Sequence, residues 1–167
     1  MNNNHSPSIK LSSSNTKMQY TWHIKNYKDL SLDLFHDMLA LRVAVFVVEQ
    51  DCPYQEVDGY DKFADHIAAT DEKGEVVACL RVLPAGITHQ EVSIGRVVVH
   101  EAYRSSGLGH ELMDRAMHFV KKKYEQASVK ISAQEHLRNF YEKHGFQQCG
   151  DGYLEDGIPH IPMICEV

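Results

Sequence analysis

Between the apolar run Val97-Val98-Val99 and a segment of helical spacing lie Arg104-Ser105-Ser106-Gly107-Leu108-Gly109. A strand, a short loop and a helix in that order leave unpaired N–H groups at the helix N-terminus, where the dipole favours a phosphate or pyrophosphate. Gly107 and Gly109 lack a Cβ and let backbone approach a ligand, and Arg104 adds a planar charged fork. A glycine pair alone is more often a tight connection. Two other nucleotide motifs fail on the residues: the dinucleotide fingerprint needs a third glycine where Leu112 stands, and no G-K-[ST] is present.

Groups able to move protons are scattered along the chain. Glu49 follows an apolar helical stretch, where partial burial would raise its pKa and suit it to accept a proton. It reads as well as a helix-end carboxylate paired with Arg42 or Arg96. His66 and His160 are further candidate bases because imidazole titrates in the useful range, but the chain holds eleven histidines, and a packed or exposed ring stays open for each. Glu56, Asp58 and Asp61 read first as a solvated acidic loop, and second as an attractor for a cationic amine. With no H-E-x-x-H or similar pair, no metal is expected. Cys52, Cys79, Cys149 and Cys165 lie far apart without a C-x-x-C pair, which points to reduced thiols.

The elements that must position these groups fit one domain of 167 residues, 43% of them hydrophobic. A net charge of −6 argues against a nucleic-acid partner. No apolar run reaches the roughly 20 residues of a membrane span, and the first residues lack signal-peptide character, so a cytoplasmic location is expected by elimination. Residues 1–17, rich in Asn and Ser, are expected to form a disordered tail, and residues 18–167 the domain.

Alternation over Tyr20 to Lys25 predicts a half-buried strand, and Ser31 can cap a helix carrying Leu34, Met38, Leu41 and Val45. A polar stretch over 51–65 predicts an irregular segment or a short helix. Strands are predicted over 66–70 and 75–83, around Asp71-Glu72-Lys73-Gly74. In Glu91 to His100 the apolar side chains move from even positions (Val92, Ile94) to odd ones (Val97, Val99). A slip near Gly95-Arg96 is what a β-bulge produces, although a continuously buried strand fits the pattern as well. Leu108 to Tyr124 predicts a long amphipathic helix, Val129 to Ala133 a strand, Leu137 to His144 a helix closed by Gly145, and Phe146 onward a last pair of strands. Interleaved strands and helices give a mixed α/β or α+β domain.

Arg104 to Gly109, behind Val97-Val98-Val99, resembles the R/Q-x-x-G-x-G/A loop of the GCN5-related N-acetyltransferases (GNAT superfamily). Asn139-Phe140-Tyr141 through Gly145-Phe146 resembles that family's next cofactor-facing helix. Within the family the ElaA group is most similar, through Leu41 to Gln50, Cys52-Pro53-Tyr54, Asp58-Gly59, Ile94 to Val97 and Asp156 to Ile161. The resemblance implies a mostly antiparallel sheet flanked by helices and splayed between its fourth and fifth strands, with acetyl-CoA in the gap. It implies acetyl transfer to an amine, with Arg104, Ser105, Ser106, Gly107, Leu108, Gly109, Asn139 and Tyr141 at the cofactor. Val98 is expected to offer an N–H to the thioester carbonyl, and Val97 and Val99 to bind pantetheine amides. Tyr141 is expected to protonate the leaving thiolate, or else to be an aromatic packed with Leu137 and Phe140. The acceptor is expected to be a small-molecule, peptide or protein amine, and the protein a monomer or homodimer without a membrane partner. Two rivals stand beside this: a homoserine-lactone-synthase-like acyltransferase, suggested by Arg42, Phe46, Glu56, Asp58 and Asp61, and a non-catalytic acetyl-CoA-binding module.

Overall fold

The computed structural model describes residues 18–167, so the expected tail lies outside the described residues. Strand β1 (Thr21–Asn26) starts the sheet as an edge. Helix α1 (Leu32–Arg42) follows, its first turn closed by the Leu34 N–H donating to Ser31 Oγ at 3.2 Å. The helix continues in π geometry over Val43–Glu49. A single short turn, Tyr60–Phe63, interrupts the polar stretch.

Strands β2 (Asp65–Thr70), β3 (Val76–Leu83) and β4 (Val92–Val99) then run antiparallel. Helix α2 (Leu108–Lys123) crosses to β5 (Ser128–Gln134), and α3 (Arg138–Glu142) is shorter than its periodicity predicts. Strands β6 (Gln147–Gln148), β7 (Tyr153–Glu155) and β8 (Ile158–Glu166) complete the sheet. The strand order is β1-β2-β3-β4-β5-β8-β6, with β7 pairing to β8. Asp156 and Gly157, at φ 49° and 80°, form the two-residue turn of the β7–β8 hairpin.

Alternation along β2 and β3 gives the sheet two apolar faces. Ile67, Ala69, Leu80 and Val82 pack with Leu112, Met113, Ala116 and Val120 of α2. Ala68 and Cys79 pack with Met38 and Leu41 of α1. The last strand of the antiparallel set, β4, meets β5 in parallel at only two positions, Val92↔Val129 and Ser93↔Lys130. Beyond Ser93 the two strands part, which makes the splay that the resemblance implies.

A bulge sets the direction of β4. Below it Gly95 pairs with Arg81, and above it Val98 pairs with Cys79, a one-residue change of register. Arg96 absorbs the extra residue with a left-handed φ of 55°. Of the two readings of this segment, the bulge is the one the chain adopts.

Candidate active site

The gap between β4 and β5 opens into a cavity of about 790 Å³. Its walls come from Val97, Val98 and Val99 of β4, the loop before α2, Phe140 and Tyr141 of α3, and the β7–β8 hairpin. The π segment closes another side with Val45, Phe46 and Glu49, and π geometry commonly accompanies functional sites. Gln50, just after this segment, accepts from Gln134 Nε2 at 3.0 Å and ties it to β5.

The backbone of β4 decides which amides reach the gap. The His100 N–H donates to the Val77 carbonyl at 2.8 Å, and Val99 and Val98 lie opposite Ala78 and Cys79. Ladder bonds alternate along an antiparallel pair, so the polar groups of Val98 face β3, whereas those of Val97 and Val99 face the gap. The Arg104 Nε–H donating to the Val99 carbonyl at 3.1 Å, from the open side, agrees. This corrects Val98 as a donor to a thioester. Its N–H is committed to the sheet, and its side chain is buried against Met38 and Leu41.

The loop residues divide similarly. Arg104, Ser105, Gly107 and Gly109 line the cavity, joined by His110, which sequence reasoning did not single out. Gly107 takes a φ of 88° at the helix N-cap and Ser105 a φ of 63°. Ser106 is exposed and does not line the cavity. Its hydroxyl donates to the Tyr103 carbonyl at 2.6 Å and accepts from the Leu108 N–H at 3.4 Å. Leu108 is an anchor in the core at 2% exposure. The helix leaves the Gly109 and His110 N–H groups without intrahelical acceptors, beside Arg104. Those donors and that cation fit a pyrophosphate. Asn139 is exposed and outside the lining, so α3 does not bring it to the cavity.

Tyr141 lines the cavity while 7% exposed, edge-on to Phe140 and Phe146 with ring centroids 5.0 and 6.0 Å away. Burial pushes its phenol well above the usual tyrosine range, which keeps the proton on it at neutral pH. His160 also lines the cavity, with its ring stacked on Tyr153. Its Nδ1 lies 2.8 Å from the Ile158 carbonyl, which fixes the tautomer and leaves Nε2 as an acceptor.

The other two candidate bases are corrected. Glu49 is about 40% exposed in its side chain, and Arg104 binds it with both prongs at 2.6 and 2.8 Å. The bond to Arg104 holds the carboxyl below its usual range, opposite to the expected rise. Neither Arg42 nor Arg96 is its partner. His66 lies outside the cavity, buried between the rings of Tyr27 and Phe35 with its Nε2 3.0 Å from the Asp61 carbonyl. Burial lowers its pKa and keeps it neutral.

The acidic cluster is no solvated loop. Glu56 and Asp61 are 4% and 3% exposed, and with Asp58 they face three guanidinium groups. Arg42 bonds Glu56 and lies 2.7 Å from Asp61, and Arg81 bonds Asp58 at 2.8 Å and Asp61 at 3.2 Å. Arg96 lies 2.7 Å from Glu56 and 3.2 Å from Asp58. Asp58, Arg81 and Arg96 form part of the cavity wall, with charges already compensated. Bonds to Arg81 hold Asp58 at about 2, against the opposing effect of burial.

Among the described residues no group of three His, Cys, Asp or Glu side chains could hold a metal ion. None of the described helices is long and apolar enough to cross a membrane.

Residues 36–167 match the family model described as "Acetyltransferase (GNAT) domain". Protein ElaA of Escherichia coli (strain K12) is 41% identical over 148 residues, covering 87% of this chain and 96% of ElaA. The crystal structure of Escherichia coli ElaA superposes with a TM-score of 0.84, covering 89% of this chain and all of that one. An acyl-CoA N-acyltransferase from Pseudomonas aeruginosa is 43% identical with a TM-score of 0.84, covering 88% and 99% of the two chains. The homoserine-lactone synthase LasI, at 15% identity and a TM-score of 0.73, shares the fold alone. The splayed sheet, the loop before α2 and these likenesses agree: the chain belongs to the GNAT acyltransferases, in the ElaA group.

Proposed function

We propose that the protein is an N-acetyltransferase that moves the acetyl group of acetyl-CoA to an amine by direct attack. The observation that carries this reading is the pair of cavity-facing backbone units at Val97 and Val99, leading on to Arg104 and the open N-terminus of α2. Pantetheine amides can pair with such a strand edge while the pyrophosphate sits on the loop. The amine nitrogen bonds to the thioester carbon, the oxyanion is held by the Val97 N–H, and the carbon–sulfur bond then breaks. Tyr141 gives its proton to the departing thiolate, and His160 Nε2 takes the proton that the amine nitrogen loses.

Glu49 serves the cofactor loop through Arg104 and is not assigned the proton. The lactone-synthase alternative rests on fold likeness and on Arg42, Phe46, Glu56, Asp58 and Asp61, whose three carboxylates are here paired with Arg42, Arg81 and Arg96. A free-CoA release assay over small amines and peptides tests the reading. Amine-dependent release supports it, whereas cofactor binding without release under any amine favours the binding module.

A further inference from the structure

Three titratable side chains outside the proposed chemistry form an unbroken chain. The Asp114 carboxylate lies 3.0 Å from His144 Nδ1, and His144 Nε2 lies 2.9 Å from His110 Nδ1. His144 joins the ends of this chain while only 6% exposed in its side chain, whereas Asp114 is open to solvent. His110, at the other end, lines the cavity in the first turn of α2, directly after Gly109.

The proton positions follow from the partners. A carboxylate only accepts, so His144 Nδ1–H donates to Asp114, and His144 Nε2 must accept from His110 Nδ1–H. Burial lowers the His144 pKa, which agrees with a neutral ring in the middle. The Phe140 ring, 4.8 Å from that of His110, holds the imidazole in place. Nε2 is then the remaining polar atom of His110, in a wall that also contains Arg104 and Gly109.

A cation in the first turn of a helix is disfavoured by the dipole unless an anion sits beside it. Asp114, one helical turn along, compensates such a cation through His144. We propose that His110 is a cofactor-binding residue that takes up a proton as the CoA pyrophosphate arrives, and donates from Nε2 to a phosphate oxygen. His144 and Asp114 are positioning residues that stabilise the imidazolium. Around His110 stand His144 and Asp114 in the chain, Glu111 next along α2, and, in the same cavity wall, Arg104 with its partner Glu49, His136 and Tyr141. This inference rests on the proposed CoA site.

The sign is fixed by the uptake: affinity is greatest at the acid end of the window and is lost as pH rises. Calorimetry with dephospho-CoA from pH 6 to 8 in buffers of different ionisation enthalpy tests it. That ligand lacks the 3′-phosphate, which itself titrates in this window. The native protein is expected to take up a proton on binding, and its affinity to fall toward about tenfold per pH unit at the alkaline end. His110→Gln should bind with no uptake and a flat profile, and the exposed change Asp114→Asn should move the profile to lower pH with the fold intact. Equal proton uptake by native protein and His110→Gln, or none by the native protein, overturns the proposal while leaving CoA binding in place. Absence of any dephospho-CoA or CoA binding overturns the cofactor site itself, and this inference with it.

Discussion

Arg104 and Glu49 bind each other through two parallel bonds, Nη1 to Oε1 at 2.6 Å and Nη2 to Oε2 at 2.8 Å, joining the π segment to the loop before α2. The guanidinium that best suits a phosphate therefore already holds an anion. Exposed pairs of this kind contribute at most about 1 kcal/mol. Glu49→Gln is expected to lower the acetyl-CoA KM by up to about fivefold, with kcat little changed. A loss of about a hundredfold or more in kcat would instead make Glu49 the base.

The loop itself gives a second expectation. Gly107 sits at φ 88°, and a Cβ added there would meet nothing within 4 Å, so Gly107→Val strains the backbone rather than crowding it. Its acetyl-CoA KM should rise by at least about tenfold, as should that of Arg104→Ala. Circular dichroism should show native secondary structure in both, and unchanged cofactor affinity in both would remove the loop from the site.

Tyr141→Phe keeps the packing with Phe140 and Phe146 and removes the proton donor. Turnover is expected to fall by about tenfold to a hundredfold with cofactor binding nearly unchanged. Full activity across the pH range would leave Tyr141 a packed ring only. For His160→Gln, the expected loss is in kcat, with the acetyl-CoA KM little changed.

Arg42, 1% exposed, lies against Glu56 and Asp61, so Asp61→Asn leaves a buried charge short of a partner. Urea unfolding is expected to show a loss of about 3–5 kcal/mol. The pH dependence has a definite sign, because Asp58 is depressed from 3.8 to about 2. Its contribution is complete above about pH 4 and is lost as the pH falls toward 2. Acid titration of Asp58→Asn should lack that part of the transition.

Periodicity exposes most of the fold to a reader of the sequence. The slip from Ile94 to Val97 admits the bulge because a strand has period two, although only the pairing with β3 decides it against a continuously buried strand, and Ser31 marks the start of α1 because its oxygen caps a helix. What depends on distant pairing is hidden. Val98 reads the same as Val97 and Val99 until Cys79 is placed opposite it. Glu56, Asp58 and Asp61 look like a wet loop because Arg42, Arg81 and Arg96, which bury them, come from α1, β3 and β4. Likewise Asp114, His110 and His144 become a chain only when the turn after α3 folds onto α2.

Transfer of a labelled acetyl group from acetyl-CoA to an amine panel is the decisive measurement of the proposed activity. An N-acetyltransferase gives an amine-dependent appearance of label in an amide, with equal release of CoA, and a sharp loss of both in Tyr141→Phe at saturating cofactor. Label that stays on a bound cofactor with every amine, or that leaves only when an acyl acceptor other than an amine is supplied, would contradict it.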